Sequence, residues 1–144
     1  MPASIMDHRS YRHQRRTKST LACEACAADT AADHGYFVAW MLSEVLFDEK
    51  PSTKRPPPID LYLCTDCKSL YDALLRLSPN ISEKRTQIEL GSIRELVSQQ
   101  GIRWVPSEEM HADPFTKIDR KLEEKMRQYM QNPYVCLREP EDQT

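Results

Sequence analysis

Twenty-seven residues without a proline, "LACEACAADTAADHGYFVAWMLSEVLF", run from Leu21 to Phe47 and decide most of what this chain can fold into. Thr20 before them is a good N-cap. Leu21, Ala25, Ala28, Ala32 and Tyr36 recur at helical spacing, followed by Trp40, Met41 and Val45. The pattern predicts one long amphipathic helix ending near Phe47, with Gly35 as its weak point. "DEKPSTKRPPP", Asp48 to Pro58, can extend neither helix nor strand and must connect. A helix of that length needs a layer to cover it.

The remaining segments supply such a layer. "IDLYLC", Ile59 to Cys64, reads as a buried parallel strand. Asp66 then stands as the N-cap of a short helix, "CKSLYDALLRL", which Ser78-Pro79 ends. Ser82 opens a further helix through Ile88, Ile93, Leu96 and Val97, with Gly101 as its C-cap. "IRWV", Ile102 to Val105, is a short strand. Asp113-Pro114 is an N-cap with a first-turn proline, and it starts a last helix that stops near Asn132-Pro133. In that helix Ile118, Leu122, Met126 and Met130 form a packing stripe. A weak strand near Ile5 and Met6 completes the order strand, helix, strand, two helices, strand, helix. The class is α/β with a thin parallel layer. We divide the chain into a basic arm or edge strand over 1–18, a domain over 19–131 and an acidic tail over 132–144.

With 144 residues the chain is long enough for one core without disulfides or metal. The net charge of −2 is unevenly spread: "HRSYRHQRRTK" near the start is basic and "REPEDQT" at the end is acidic. There is no signal-peptide pattern and no apolar run long enough to cross a membrane. Five cysteines, an odd count, argue against a disulfide framework. The expectation is an intracellular protein, cytoplasmic or nuclear, with reduced cysteines and no membrane partner.

Three acids share one structural role. Glu24, Asp66 and Asp113 each fall at the cap or in the first turn of a helix that follows a strand or candidate strand. In parallel α/β layers these positions gather at the carboxyl ends of the strands, where ligands bind. Converging carboxylates repel one another unless a cation lies between them, and oxygen ligands suit Mg²⁺. From spacing alone the simpler account is the stronger one. Asp66 and Asp113 would be ordinary N-caps, and Glu24 a first-turn acid favoured by the helix dipole.

Four segments, "STLACEACAAD", "LYLCTDCKSLYDAL", "EKRTQIELGSIREL" and "IRWVPSEEMHADPFTK", resemble in this order the ribonuclease H domain that ends copia-type retrotransposon Pol polyproteins. The resemblance covers roughly residues 5–118. It implies a ribonuclease H-like layer with a mixed sheet and a Mg²⁺-dependent two-metal nuclease that hydrolyses the RNA strand of an RNA–DNA hybrid. In a polyprotein a reverse transcriptase domain would lie upstream. By position Glu24, Asp66 and Asp113 would be the catalytic carboxylates and the Mg²⁺ ligands.

The chain departs from the family in one respect. The family's first acid stands on the first strand, some 40 residues before the helix glutamate, whereas 23 residues precede Glu24 here. The resemblance therefore implies a fragment or remnant lacking the first two strands and the first aspartate. Such a cleft would bind Mg²⁺ weakly, and hydrolysis would be impaired or lost.

Two other readings compete. Cys23, Cys26, Cys64 and Cys67 form two C-x-x-C pairs about 40 residues apart, a spacing open to a four-cysteine zinc site in a nucleic-acid-binding adaptor. The first pair, however, falls in an alanine-rich helix, where cysteine packs as a small apolar residue. Arg9, Arg12, Arg15, Arg16 and Lys18, with Tyr11 among them, could track phosphates without any catalysis, or form a solvated edge.

Overall fold

A computed structural model describes residues 17–76, 83–110 and 120–131. They belong to two compact units, divided between Trp104 and Val105. The first contains α1 (Thr20–Phe47), β1 (Leu63–Thr65), α2 (Lys68–Leu75), α3 (Lys84–Leu96) and β2 (Ile102–Trp104). In the second, the described elements are a 3-10 turn, Ser107–Glu109, and α4 (Arg120–Gln131).

The long helix forms as expected, and Gly35 does not interrupt it. Its start is one residue earlier than expected. Ser19, not Thr20, is the N-cap, and its Oγ accepts from the Ala22 N–H at 3.1 Å. The far end closes on Asp48, whose φ of 55° is left-handed and whose N–H reaches the Glu44 carbonyl. An aspartate tolerates that conformation better than most side chains do.

β1 and β2 pair in parallel, with Leu63 opposite Ile102, Cys64 opposite Arg103 and Thr65 opposite Trp104. Parallel neighbours need a crossover, and α2 and α3 provide it. The fold class is thus α/β with a small parallel sheet. Both strands are shorter than their apolar runs. Ile59 to Tyr62 stay outside β1, and Val105 lies outside β2.

The core is where the helices meet this pair. Ala25, Ala28 and Ala32 of α1 bring its backbone close to α3, and Leu63, Leu70, Leu74, Leu90, Ile93 and Ile102 fill the space around them. Each fully buried leucine or isoleucine contributes about 1.5–3 kcal/mol. The alanines explain the close approach, because a larger side chain on that face would hold α3 away.

The expected C-cap of α3 is corrected. α3 ends at Leu96 with Val97 as its C-cap, so Gly101 does not close it. Gly101 instead ends a 3-10 turn that leads into β2. A Cβ there would stand against the Leu61 carbonyl oxygen, far inside van der Waals contact, so the backbone itself requires glycine. In the second unit α4 has no buried residue, and the expected stop at Asn132-Pro133 lies outside the described residues. Of the expected stripe, Met130 is exposed, and Ile118 lies outside the described residues.

Candidate functional site

The turn after β1 is organised by a hydroxyl. Thr65 Oγ1 accepts from the Cys67 N–H at 3.1 Å, and Cys67 occupies the N-cap of α2 with no side-chain cap bond. Asp66 is therefore not the N-cap that its position suggests. It stands one residue earlier, half-buried, at the carboxyl end of a parallel strand. The backbone at this point is tied to the neighbouring strand end, because the Trp104 indole N–H donates to the Asp66 carbonyl at 3.2 Å.

Lys68 follows on the first turn of α2. Its ammonium lies 4.9 Å from the Tyr71 ring centroid and 5.2 Å from that of Trp104. It also faces Asp72 at 3.9 Å. Two aromatic faces and one carboxylate thus hold a cation beside Asp66 in sequence. Trp104, ahead of Pro106, reads from sequence as a core or cleft-wall aromatic, whereas Lys68 does not stand out as part of a site. The signal was available in "TDCKSLYD", where lysine and tyrosine are three apart on a helix, but the indole arrives from a strand 36 residues away.

Glu24 is also half-buried. The earlier cap leaves it beyond the first turn of α1, so the helix-dipole account of this acid loses ground. Leu21 and Ala25 on either side of it pack into the same core as Leu63 and Leu70. One turn of α1 and the β1–α2 junction thus share a hydrophobic base. Asp113 lies outside the described residues, as do Arg9, Arg12, Arg15 and Arg16. Lys18 is described and exposed, just ahead of α1.

The four described cysteines are thiols. Among the described residues no three His, Cys, Asp or Glu side chains come together as a group able to hold a metal ion. All four members of the two C-x-x-C pairs are described, and they form no such group. Cys67 Sγ instead lies 3.3 Å from the Ser69 hydroxyl. Burial pushes the Cys64 thiol above its ordinary value, with a smaller opposing pull from the Arg103 guanidinium across the strand pair. A thiol held protonated is the reverse of what a zinc ligand needs.

Arg103 is a buried cation with a defined shell. Its Nη1 donates to the Gln100 and Ile102 carbonyls, and the guanidinium lies 5.3 Å from the Tyr62 ring centroid. Carbonyl acceptors and a ring face hold it at the sheet.

No helix among the described residues is long and apolar enough to cross a membrane. No family model, curated protein or solved structure matches this chain.

Proposed function

We propose that this chain is a ribonuclease H-like domain of the copia retrotransposon type. On this reading it binds RNA–DNA hybrid and acts on its RNA strand with the help of a divalent cation. The observation that carries the proposal is the place of Asp66. It follows the first of two parallel strands, it is not the N-cap of α2, and its carbonyl is tied to Trp104 on the second. The carboxyl ends of parallel strands are where such layers bind ligands.

By the resemblance, Glu24, Asp66 and Asp113 would hold Mg²⁺. Their oxygens fit a hard cation, and such an ion supplies charge that steadies the leaving oxygen of a phosphodiester. Lys68 offers a fixed cation to a phosphate, and Lys18 with the arginines before it offers further ones.

The test is fluorescence anisotropy with a labelled RNA–DNA hybrid, followed by a cleavage assay in Mg²⁺ and Mn²⁺. Binding should weaken steeply with salt. Asp66→Asn should remove whatever strengthening Mg²⁺ brings. Absence of hybrid binding at low salt would sink the proposal. Metal-dependent turnover that is lost in Asp66→Asn would support the reading.

A further inference from the structure

Over its last three turns α1 carries apolar side chains on two faces. Ala32, Ala39 and Ser43 turn into the protein. On the opposite side Phe37, Met41 and Val45 recur every four residues and are 61%, 53% and 80% exposed. A helix face of that kind normally faces a partner. A groove of about 690 Å³ runs along it, with Trp40 and Pro51 among its walls.

Beside this stripe the groove is lined by two carboxylates and one imidazole, that of His34. Helical periodicity places Asp33 and Glu44 along one edge of it, and both line the groove. They are eleven residues apart, about 16 Å along the axis. α1 contains no lysine or arginine at all. Among the described residues no ion pair holds either carboxylate. Such an edge repels phosphates and anionic lipid. It also repels the same edge of a second copy, since each α1 would bring Asp33 and Glu44.

We propose that this groove is a docking site for a basic amphipathic helix of another protein. Its apolar residues, four apart, would lie on Phe37, Met41 and Val45. Its lysines or arginines, about three turns apart, would meet Asp33 and Glu44. The mode is a helix laid in a groove, with the apolar stripe supplying affinity and the acidic edge fixing register. The site is independent of Asp66 and of hybrid binding.

The probe is a synthetic helical peptide with leucines at every fourth position and two lysines eleven residues apart, compared with the same peptide carrying glutamates in their place. The full chain, Met41→Glu, and the double variant Asp33→Lys, Glu44→Lys are titrated with each, and circular dichroism verifies their helicity. These side chains are on the outer face of α1, so the fold should hold. The lysine peptide should bind the parent chain, lose at least about tenfold in affinity to the double variant, and fail on Met41→Glu. The glutamate peptide should show the reverse preference for the double variant. Failure of the lysine peptide to bind, equal binding of the two peptides, or indifference to Met41→Glu would overturn the proposal. So would light scattering that finds a dimer which Met41→Glu dissociates, because the face would then belong to a second copy.

Discussion

The indole N–H of Trp104 donates a 3.2 Å hydrogen bond to the carbonyl oxygen of Asp66, joining two strand ends across 38 positions of chain. Trp104→Phe keeps an aromatic ring near Lys68 but removes the donor together with part of the indole's bulk. The loss of that bond should cost about 0.5–1.5 kcal/mol in urea unfolding. If the bond also steadies the Asp66 turn, Mg²⁺ should strengthen hybrid binding less in Trp104→Phe than in the parent. Equal Mg²⁺ responses would confine Trp104 to stability.

Arg94 of α3 closes the end of α2 from 20 residues away. Its Nε donates to the Leu74 carbonyl at 2.9 Å and its Nη2 to the Ala73 carbonyl at 2.6 Å, with a further bond to that of Arg76. The last carbonyls of a helix have no partner of their own, and a cation there also suits the helix dipole. Arg94→Met should lose about 1–3 kcal/mol by chemical denaturation, with an unchanged denaturant slope. Arg94→Lys should recover only part of this, because one ammonium cannot span three carbonyls as a guanidinium does.

The contrast between α1 and this contact shows where sequence reasoning stops. The extent of α1 is legible because "LACEACAADTAADHGYFVAWMLSEVLF" has no proline and two turn-forming aspartates only in mid-helix, and the prolines after Asp48 end it. The parallel pair is legible from two short apolar runs separated by helical ones. The cap residues are not. Ser19 and Thr20 are equally good caps, and Thr65 competes with Asp66 for the same turn, so the outcome rests on a fraction of a kcal/mol. Gly101 resembles a helix C-cap, yet its reason is the Leu61 carbonyl, a contact from 40 residues upstream. Of the site, Glu24 and Asp66 could be singled out from sequence. Lys68, Trp104 and the exposed face of α1 depend on which elements pack together, and that is not local information.

Two glycines make a paired test of the packing. Gly101→Ala drives a Cβ into the Leu61 carbonyl oxygen and to 3.0 Å from Val97. A backbone oxygen has little room to retreat, so this variant should lose about 1–3 kcal/mol. A Cβ at Gly91, within α3, would meet nothing within 4 Å. Gly91→Ala should therefore gain about 0.5–1 kcal/mol, because glycine in a helix interior loses more chain entropy on folding. Opposite signs in thermal unfolding are the expected result, and a neutral Gly101→Ala would show that the β1 approach is looser than described.

The Cys64 thiol gives the fold an alkaline limb. Burial disfavours its thiolate, and the Arg103 guanidinium offsets this only in part, so the folded value lies above the unfolded one. Below the ordinary thiol range both states keep the proton, and the contribution is fully present. As pH climbs through that range unfolded chains lose the proton first, and stability falls until the folded thiol ionises as well. Cys64→Ala should flatten this part of the decline relative to the parent chain. Alkylation followed residue by residue should show Cys64 reacting with a higher midpoint in the folded protein than in urea. Removing the guanidinium by Arg103→Leu should raise that midpoint further, since the attraction for the thiolate goes with it. A midpoint that falls in Arg103→Leu would mean that the variant opens Cys64 to water, which an accompanying loss of protection at the Ile102 amide would reveal by hydrogen exchange.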